Sequence, residues 1–213
     1  MARRDYSRSE RISTRPKMEP ASWSSCEPKT TSPKRLSGPF VSEPADAGKS
    51  GISLRLAGPA EGALVERLTR RIWTGRVSEE STVFTETPES VAAQLEKGGG
   101  AILFDGPEAI GSGRWVPVPG PSGQGLWMEV KRIGVLEAYR KRGFGEVILK
   151  ALEAAGREAG AEGAQLAVRH DQVRLVDFYA GLGYVLADDV ELTTPNPRSP
   201  PPVGMRKHFR TNT

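Results

Sequence analysis

The sequence predicts a layered α/β domain built around a mixed β-sheet. Residues 51–209 alternate between stretches with the two-residue repeat of strands and stretches with the helical repeat of apolar side chains. Turns rich in glycine and proline separate these stretches. Residues 1–47 show neither repeat and are rich in Ser, Pro, Arg and Lys, which predicts a disordered basic tail ahead of a domain over residues 51–210.

The first half of the domain predicts a strand, two helices and a hairpin. Ile52–Leu56 alternates apolar and polar residues, as a half-buried strand does. Leu64, Leu68 and Ile72 recur every four residues and form the apolar stripe of a helix. A cap at Thr87, followed by proline, begins a second helix that ends near Lys97. The hairpin strands are predicted at Ala101–Phe104 and Ala109–Val118.

The second half predicts strands and helices in alternation. The strands are Leu126–Val135, Gln165–Arg169, Tyr184–Leu192 and Val203–Phe209, and the helices are Gly143–Gly160 and Gln172–Leu182.

Composition excludes several classes of protein. The single cysteine, Cys26, cannot form an internal disulfide or a cysteine-rich metal site, which favours a reducing, cytoplasmic location. No apolar run approaches the roughly 20 residues of a membrane span. Residues 1–48 hold 9 basic and 6 acidic residues, against 21 and 20 in the remainder, so the folded part lacks the charge of a nucleic-acid-binding face. The tail itself is compatible with a transit peptide or with a tether to an acidic partner.

The segment from Ile133 to Gly145 carries the chemistry. A strand ends at Val135, and a helix follows the run Arg140-Lys141-Arg142-Gly143-Phe144-Gly145. The first amides of a helix lack partners, the helix dipole adds positive charge there, and glycines let an anion approach the backbone. The sequence therefore predicts a phosphate seat, although glycines at such a turn also serve tight packing alone. The run matches neither the P-loop nor the dinucleotide-binding pattern.

At these residues the chain resembles the GNAT superfamily of acetyl-CoA-dependent N-acetyltransferases. The run from Arg140 to Gly145 fits that family's [RQ]-x-x-G-x-[GA] signature. A second block follows at the family's distance, with Phe178-Tyr179 and then Gly183-Tyr184 at the end of a helix. The resemblance implies a mixed, mostly antiparallel sheet of about six to seven strands with helices on both faces.

The resemblance also implies acetyl-CoA as co-substrate and roles for particular residues. Backbone groups of Ile133 and Val135 would pair with the pantetheine arm of the cofactor, and the amides from Arg142 to Glu146 would hold its pyrophosphate. The implied cofactor-binding residues are Ile133, Gly134, Val135, Arg140, Lys141, Arg142, Gly143, Phe144, Gly145, Glu146 and Gln172. Three positions depart from the family pattern: Gln172 stands for the usual Asn, Leu175 for Ala and Glu137 for Pro.

The reaction that the resemblance implies needs a proton donor and a base. Tyr179 is the expected donor to the departing thiolate, unless it is a core aromatic whose hydroxyl is satisfied by the backbone. Glu129 is the candidate base because it stands six residues before Val135, and period two would place both side chains on one face of the sheet. The alternative is a solvated strand residue or an ion pair with Lys131. His170 and His208 have no metal-ligand spacing, so no metal is expected.

The acceptor is expected to be an amine, either a small molecule or a protein. Glu79, Glu80, Glu86 and Glu89 lie in a segment without basic residues, which suggests attraction of a cationic amine, although two of them also suit a helix start. A catalytically inactive module that binds CoA or a protein partner is the alternative function. A weaker alternative is a nucleic-acid-associated protein that is anchored by the basic tail. The oligomeric state, with a homodimer as one option, stays open.

Overall fold

The computed structural model describes residues 51–209, so the predicted tail over residues 1–47 lies outside the described part of the chain. The strands are β1 Ile52–Ala57, β2 Gly99–Asp105, β3 Glu108–Pro119, β4 Leu126–Val135, β5 Gly163–Val168, β6 Val185–Leu186 and β7 Val203–His208. The helices are α1 Gly62–Trp73, α2 Pro88–Lys97, α3 Phe144–Glu158 and α4 Arg174–Gly181.

One seven-stranded sheet runs in the order β1-β2-β3-β4-β5-β7-β6. Every neighbouring pair is antiparallel except β4 and β5, which are parallel. Gly134 lies against Ile72 of α1, whereas Gly113 lies against Ile148 and Leu152 of α3. Gly134 pairs with Ser112, the residue next to Gly113, and neighbouring residues of a strand face opposite sides of a sheet. The helices α1 and α3 therefore cover opposite faces. The predicted fold class is confirmed.

Local sequence accounts for the start of α2 and for the buried face of α1. The hydroxyl of Thr87 accepts a hydrogen bond from the Ser90 amide at 3.2 Å, and proline occupies the first turn, so α2 begins where the cap predicts. Of the predicted stripe of α1, Leu68 and Ile72 are buried and Leu64 is partly buried, and the adjacent Val65 is also buried.

The predicted strand Tyr184–Leu192 is wrong beyond Leu186. The Ala187 amide still donates to the Gly204 carbonyl at 2.9 Å, but the chain then leaves the sheet. Asp189 turns back to form an ion pair with Arg206 at 2.6 Å, and the Glu191 carbonyl accepts a hydrogen bond from the Gln165 side chain at 2.8 Å. The apolar alternation of this segment is therefore outweighed by side-chain contacts that hold it as a loop.

A β-bulge interrupts β4. Arg114 pairs with Lys131 and Ser112 pairs with Gly134, so Arg132 and Ile133 together oppose one residue of β3. Arg132 takes the left-handed conformation, with φ of 56°. Because of the extra residue, the alternation of side chains between the two faces of the sheet is reversed after the bulge.

The parallel strands β4 and β5 separate after a short contact. Their pairing covers only Trp127–Glu129 on β4 and Gly163–Gln165 on β5. Beyond it the strands diverge, and their unpaired edges face each other across an open cleft. This divergence positions the candidate site.

Candidate active site

A cleft of about 790 Å³ opens between the diverging strands, the start of α3, α4 and the link after α1. All of the predicted site residues line it except Arg142 and Glu129. Those that line it are Ile133, Gly134, Val135, Arg140, Lys141, Gly143, Phe144, Gly145, Glu146, Gln172 and Tyr179.

The corner before α3 presents free backbone donors. Gly143 adopts φ of 78° and precedes the helix, and its carbonyl accepts from the Glu146 and Val147 amides at 3.0 and 3.2 Å. Within residues 51–209, the amides from Arg142 to Gly145 have no backbone acceptor. A Cβ added at Gly145 would meet no atom within 4 Å. The space and the donors therefore fit an oxyanion such as a phosphate.

The three cations of the corner do not act alike. Arg140 and Lys141 line the cleft, and the Arg140 guanidinium also pairs with Glu137 at 3.5 Å. The Arg142 guanidinium instead lies over the rings of Phe144 and Tyr139, at 5.0 and 5.5 Å from their centroids. The Arg142 side chain is therefore directed to these two rings, while its backbone amide remains at the corner.

The end of β4 turns backbone groups towards the cleft. The Leu136 amide donates to the Ile110 carbonyl of the β3 side at 2.8 Å. In an antiparallel ladder, hydrogen-bonded and non-hydrogen-bonded residue pairs alternate. The next pair, Val135 and Gly111, is therefore non-hydrogen-bonded, and its amides and carbonyls point away from the partner strand. The Val135 carbonyl accepts a hydrogen bond from the Arg140 side chain at 3.2 Å, and the Val135 amide faces the diverged side of β4. An extended ligand chain in the cleft would accept a hydrogen bond from this amide, as an added β-strand would.

Tyr179 brings a hydroxyl to the same cleft. Its ring packs edge-on against Phe178 and Tyr184, with centroids 5.1 and 5.8 Å apart. Burial raises the pKa of Tyr179 to about 12, so the hydroxyl keeps its proton at neutral pH. In the part of the chain that the structure describes, this hydroxyl forms no hydrogen bond, whereas that of Tyr184 donates to Glu153 at 3.0 Å.

Glu129 lies elsewhere. Its side chain is 4% exposed and accepts hydrogen bonds from the amide and the hydroxyl of Thr193, at 2.7 and 3.0 Å, and it pairs with Lys131 at 3.4 Å. The expectation that Glu129 and Val135 share a face is wrong, because the bulge at Arg132 reverses the alternation between them. Its role as a base stays a prediction, and the geometry gives that role no support.

Sequence reasoning missed the wall of the cleft that follows α1. Trp73, Arg76 and Ser81 line this wall, together with Arg132 at the bulge. No motif marks these residues, since their approach depends on how α1 packs on the sheet. The acids of the same segment do not line the cleft. Glu86 is committed to ion pairs with Arg114 and Arg132 at 2.5 and 3.0 Å.

No helix over residues 51–209 combines the length and apolar character needed to cross a bilayer. In that same range, no group of three or more His, Cys, Asp and Glu side chains is arranged to hold a metal ion.

Comparison with known proteins gives a consistent picture. The model of the acetyltransferase (GNAT) family matches residues 65–184. An uncharacterized N-acetyltransferase of Bacillus subtilis, YjcF, is 34% identical over 90 residues, which cover 42% of this chain. The aligned part spans 58% of the length of YjcF.

Solved structures share the fold. The PaiA N-acetyltransferase of Thermoplasma acidophilum, in complex with coenzyme A, superposes with a TM-score of 0.57 at 16% identity, covering 74% of this chain and 99% of that one. The aminoglycoside acetyltransferase HMB0005, from an uncultured soil metagenomic sample, gives 0.55 at 18% identity, covering 68% and 97%. At these identities the similarity shows the fold alone.

Proposed function

The chain belongs to the acetyltransferase (GNAT) family, and we propose that it transfers the acetyl group of acetyl-CoA to a primary amine by direct attack in a ternary complex. The observation that carries this proposal is the corner before α3, where free amides, open space at Gly145 and two cleft-facing cations coincide. A diphosphate is the chemical group that matches this combination.

The corner would hold the pyrophosphate through the amides from Arg142 to Gly145, with Arg140 and Lys141 balancing its charge. The pantetheine arm would lie along the unpaired edge of β4 at Ile133, Gly134 and Val135. Gln172 lines the same stretch, and its Oε1 accepts a hydrogen bond from Arg174 at 3.2 Å, which leaves the amide donors of the side chain for the arm.

The bound cofactor supplies an acetyl group activated by its bond to sulfur. The Val135 amide would donate a hydrogen bond where negative charge develops on the carbonyl oxygen. Tyr179 would hold a proton on its hydroxyl for the departing sulfur. Its raised pKa, about 12, keeps that proton available across the neutral range.

The acceptor amine must lose a proton before it can attack. Among the described residues, Glu146 is the one carboxylate that lines the cleft, and it is paired with Lys150 at 2.7 Å on α3. An alkyl ammonium has a pKa near 10.4, so roughly one molecule in two thousand is neutral at pH 7. We propose that water in the open cleft carries this proton away.

Two measurements on the full chain test the proposal. Calorimetry with acetyl-CoA should show binding, and a thiol-release assay with a panel of amines should show turnover. Binding without turnover of any amine would favour the inactive module that binds CoA. Absence of binding would overturn the proposed use of the corner.

A further inference from the structure

The cleft has an acceptor wall, formed by the end of α1, the link over residues 74–87 and Arg132 at the bulge. Within the described part of the chain, the charged side chains that line this wall are Arg76 and Arg132. Trp73, Val77 and Val83 line it as apolar residues. The wall therefore combines positive charge with apolar surface.

Arg76 forms no ion pair with any residue between 51 and 209. Its guanidinium lies 5.9 Å from the centroid of the Trp73 ring. Burial lowers the pKa of Arg76, and the positive charges of Arg140 and Arg174 lower it further, against the opposite effect of Glu137. These neighbours place several cations around one opening, where an anion is attracted.

Arg132 adds to this field because its counter-ion is shared. Glu86 pairs with Arg132 and also with Arg114, whose side chain is fully buried. Arg132 is further held by a hydrogen bond from Nη2 to the Thr82 hydroxyl at 2.7 Å. One carboxylate thus faces two guanidinium groups, and this trio keeps one net positive charge behind the acceptor wall.

We propose that the acceptor is an amine that also carries a carboxylate, which Arg76 binds while apolar residues of the wall contact its carbon skeleton. This inference rests on the proposed acetyl transfer. A polycationic amine would be repelled by the same field. The positive surroundings also favour the neutral form of the acceptor amine, which helps a site whose acceptor wall presents no described carboxylate.

The transfer balances without any further reactant. The amine nitrogen forms a bond to the acetyl carbon as the carbon–sulfur bond breaks. One amine proton passes to water, and the sulfur takes the proton of Tyr179, which water then restores. The products are the N-acetylated acid and the free thiol.

Matched pairs of acceptors test the inference. Phenylalanine and phenethylamine differ by one carboxylate, and spermidine serves as the polycation. We expect the full chain to show higher kcat/KM for phenylalanine than for phenethylamine or spermidine. R76Q should lower kcat/KM for phenylalanine by roughly tenfold to a hundredfold, through KM, and change that for phenethylamine much less, because only phenylalanine loses a hydrogen bond to a charged group.

Control variants separate charge from structure. R76K should keep most of the preference, and R67Q, at an exposed position of α1, should keep all of it. Faster turnover of spermidine than of phenylalanine would overturn the inference. So would an R76Q variant that loses affinity for acetyl-CoA and keeps its acceptor preference, which would make Arg76 a phosphate ligand. Both results leave the acetyl-transfer proposal standing, whereas failure of the wild-type chain to bind acetyl-CoA would remove that proposal itself.

Discussion

Two polar regions of the sheet differ in how their hydrogen-bonding groups are used. At the corner before α3, the amides from Arg142 to Gly145 have no backbone acceptor in the described part of the chain. The second region, here called the loop anchor, comprises Glu129, Lys131, Thr193 and Thr194. In it the carboxylate and the ammonium each have a partner, and Lys131 donates to both threonine hydroxyls, at 2.6 and 2.8 Å.

The difference separates binding from support. Buried polar groups that satisfy one another stabilise a structure and have little capacity left for a ligand. Donors that face open space contribute no internal bond and are available to one. The satisfied contacts of Glu129 are those of a structural residue, whereas the free donors of the corner suit the ligand-binding role that we propose for it.

The largest expected effect follows from breaking the loop anchor. Glu129→Gln would leave the largely buried Lys131 without its counter-charge, which costs about 3–5 kcal/mol in the free energy of unfolding. Denaturant titration measures this loss. A base role makes the opposite prediction: unchanged stability, a large fall in kcat and a shifted pH–rate profile. Assays at low temperature, where the variant stays folded, distinguish the two.

The corner should respond in the reverse way. Gly145→Val places a side chain in open space, so the free energy of unfolding should change by less than about 1 kcal/mol. The same side chain would fill the phosphate seat and weaken acetyl-CoA binding by roughly a hundredfold, or about 2.7 kcal/mol. Calorimetry and thermal unfolding give the two numbers. Unchanged affinity would show that the cofactor does not use this corner.

Two tyrosines extend the comparison to side chains. Tyr179→Phe should lower kcat by about tenfold with little loss of stability. This fall in kcat is smaller than is usual when an acid catalyst is removed. The reason is that the thiolate leaving group, whose conjugate acid has a pKa near 8.5, leaves readily without a proton donor. Tyr184→Phe should keep kcat but lose about 1.5 kcal/mol of stability, since it removes a hydrogen bond to the buried Glu153. Equal effects of both variants on kcat would contradict the assignment.

The last effect concerns pH. The pKa of Tyr179 is about 12 in the folded chain and near 10 when unfolded, so the unfolded state loses this proton first as pH rises. The stabilisation from the neutral hydroxyl is complete below pH 10 and disappears between about pH 10 and 12. The free energy of unfolding of the wild type should therefore fall over this window relative to that of Tyr179→Phe. A constant difference between the two would show that the hydroxyl is solvated.

The sequence by itself determined the repeating elements and the corner before α3. Apolar periodicity is a local property, so α1, α2 and β4 could be located from their residues. The corner is also local, because glycines and cations within six residues of a helix start produce it wherever that helix lies.

Tertiary structure alone decided the bulge, the face of Glu129 and the acceptor wall. One extra residue at Arg132 reverses the alternation of β4, and it depends on pairing with a strand about 20 residues away. Arg76 and Arg132 come together in the acceptor wall only because α1 packs on the sheet. Arg142 follows Arg140 by two residues, but its guanidinium lies over the rings of Tyr139 and Phe144. The sequence determines which residues are charged or can form hydrogen bonds. Whether such a group faces a ligand or another side chain depends on contacts between residues far apart in the chain.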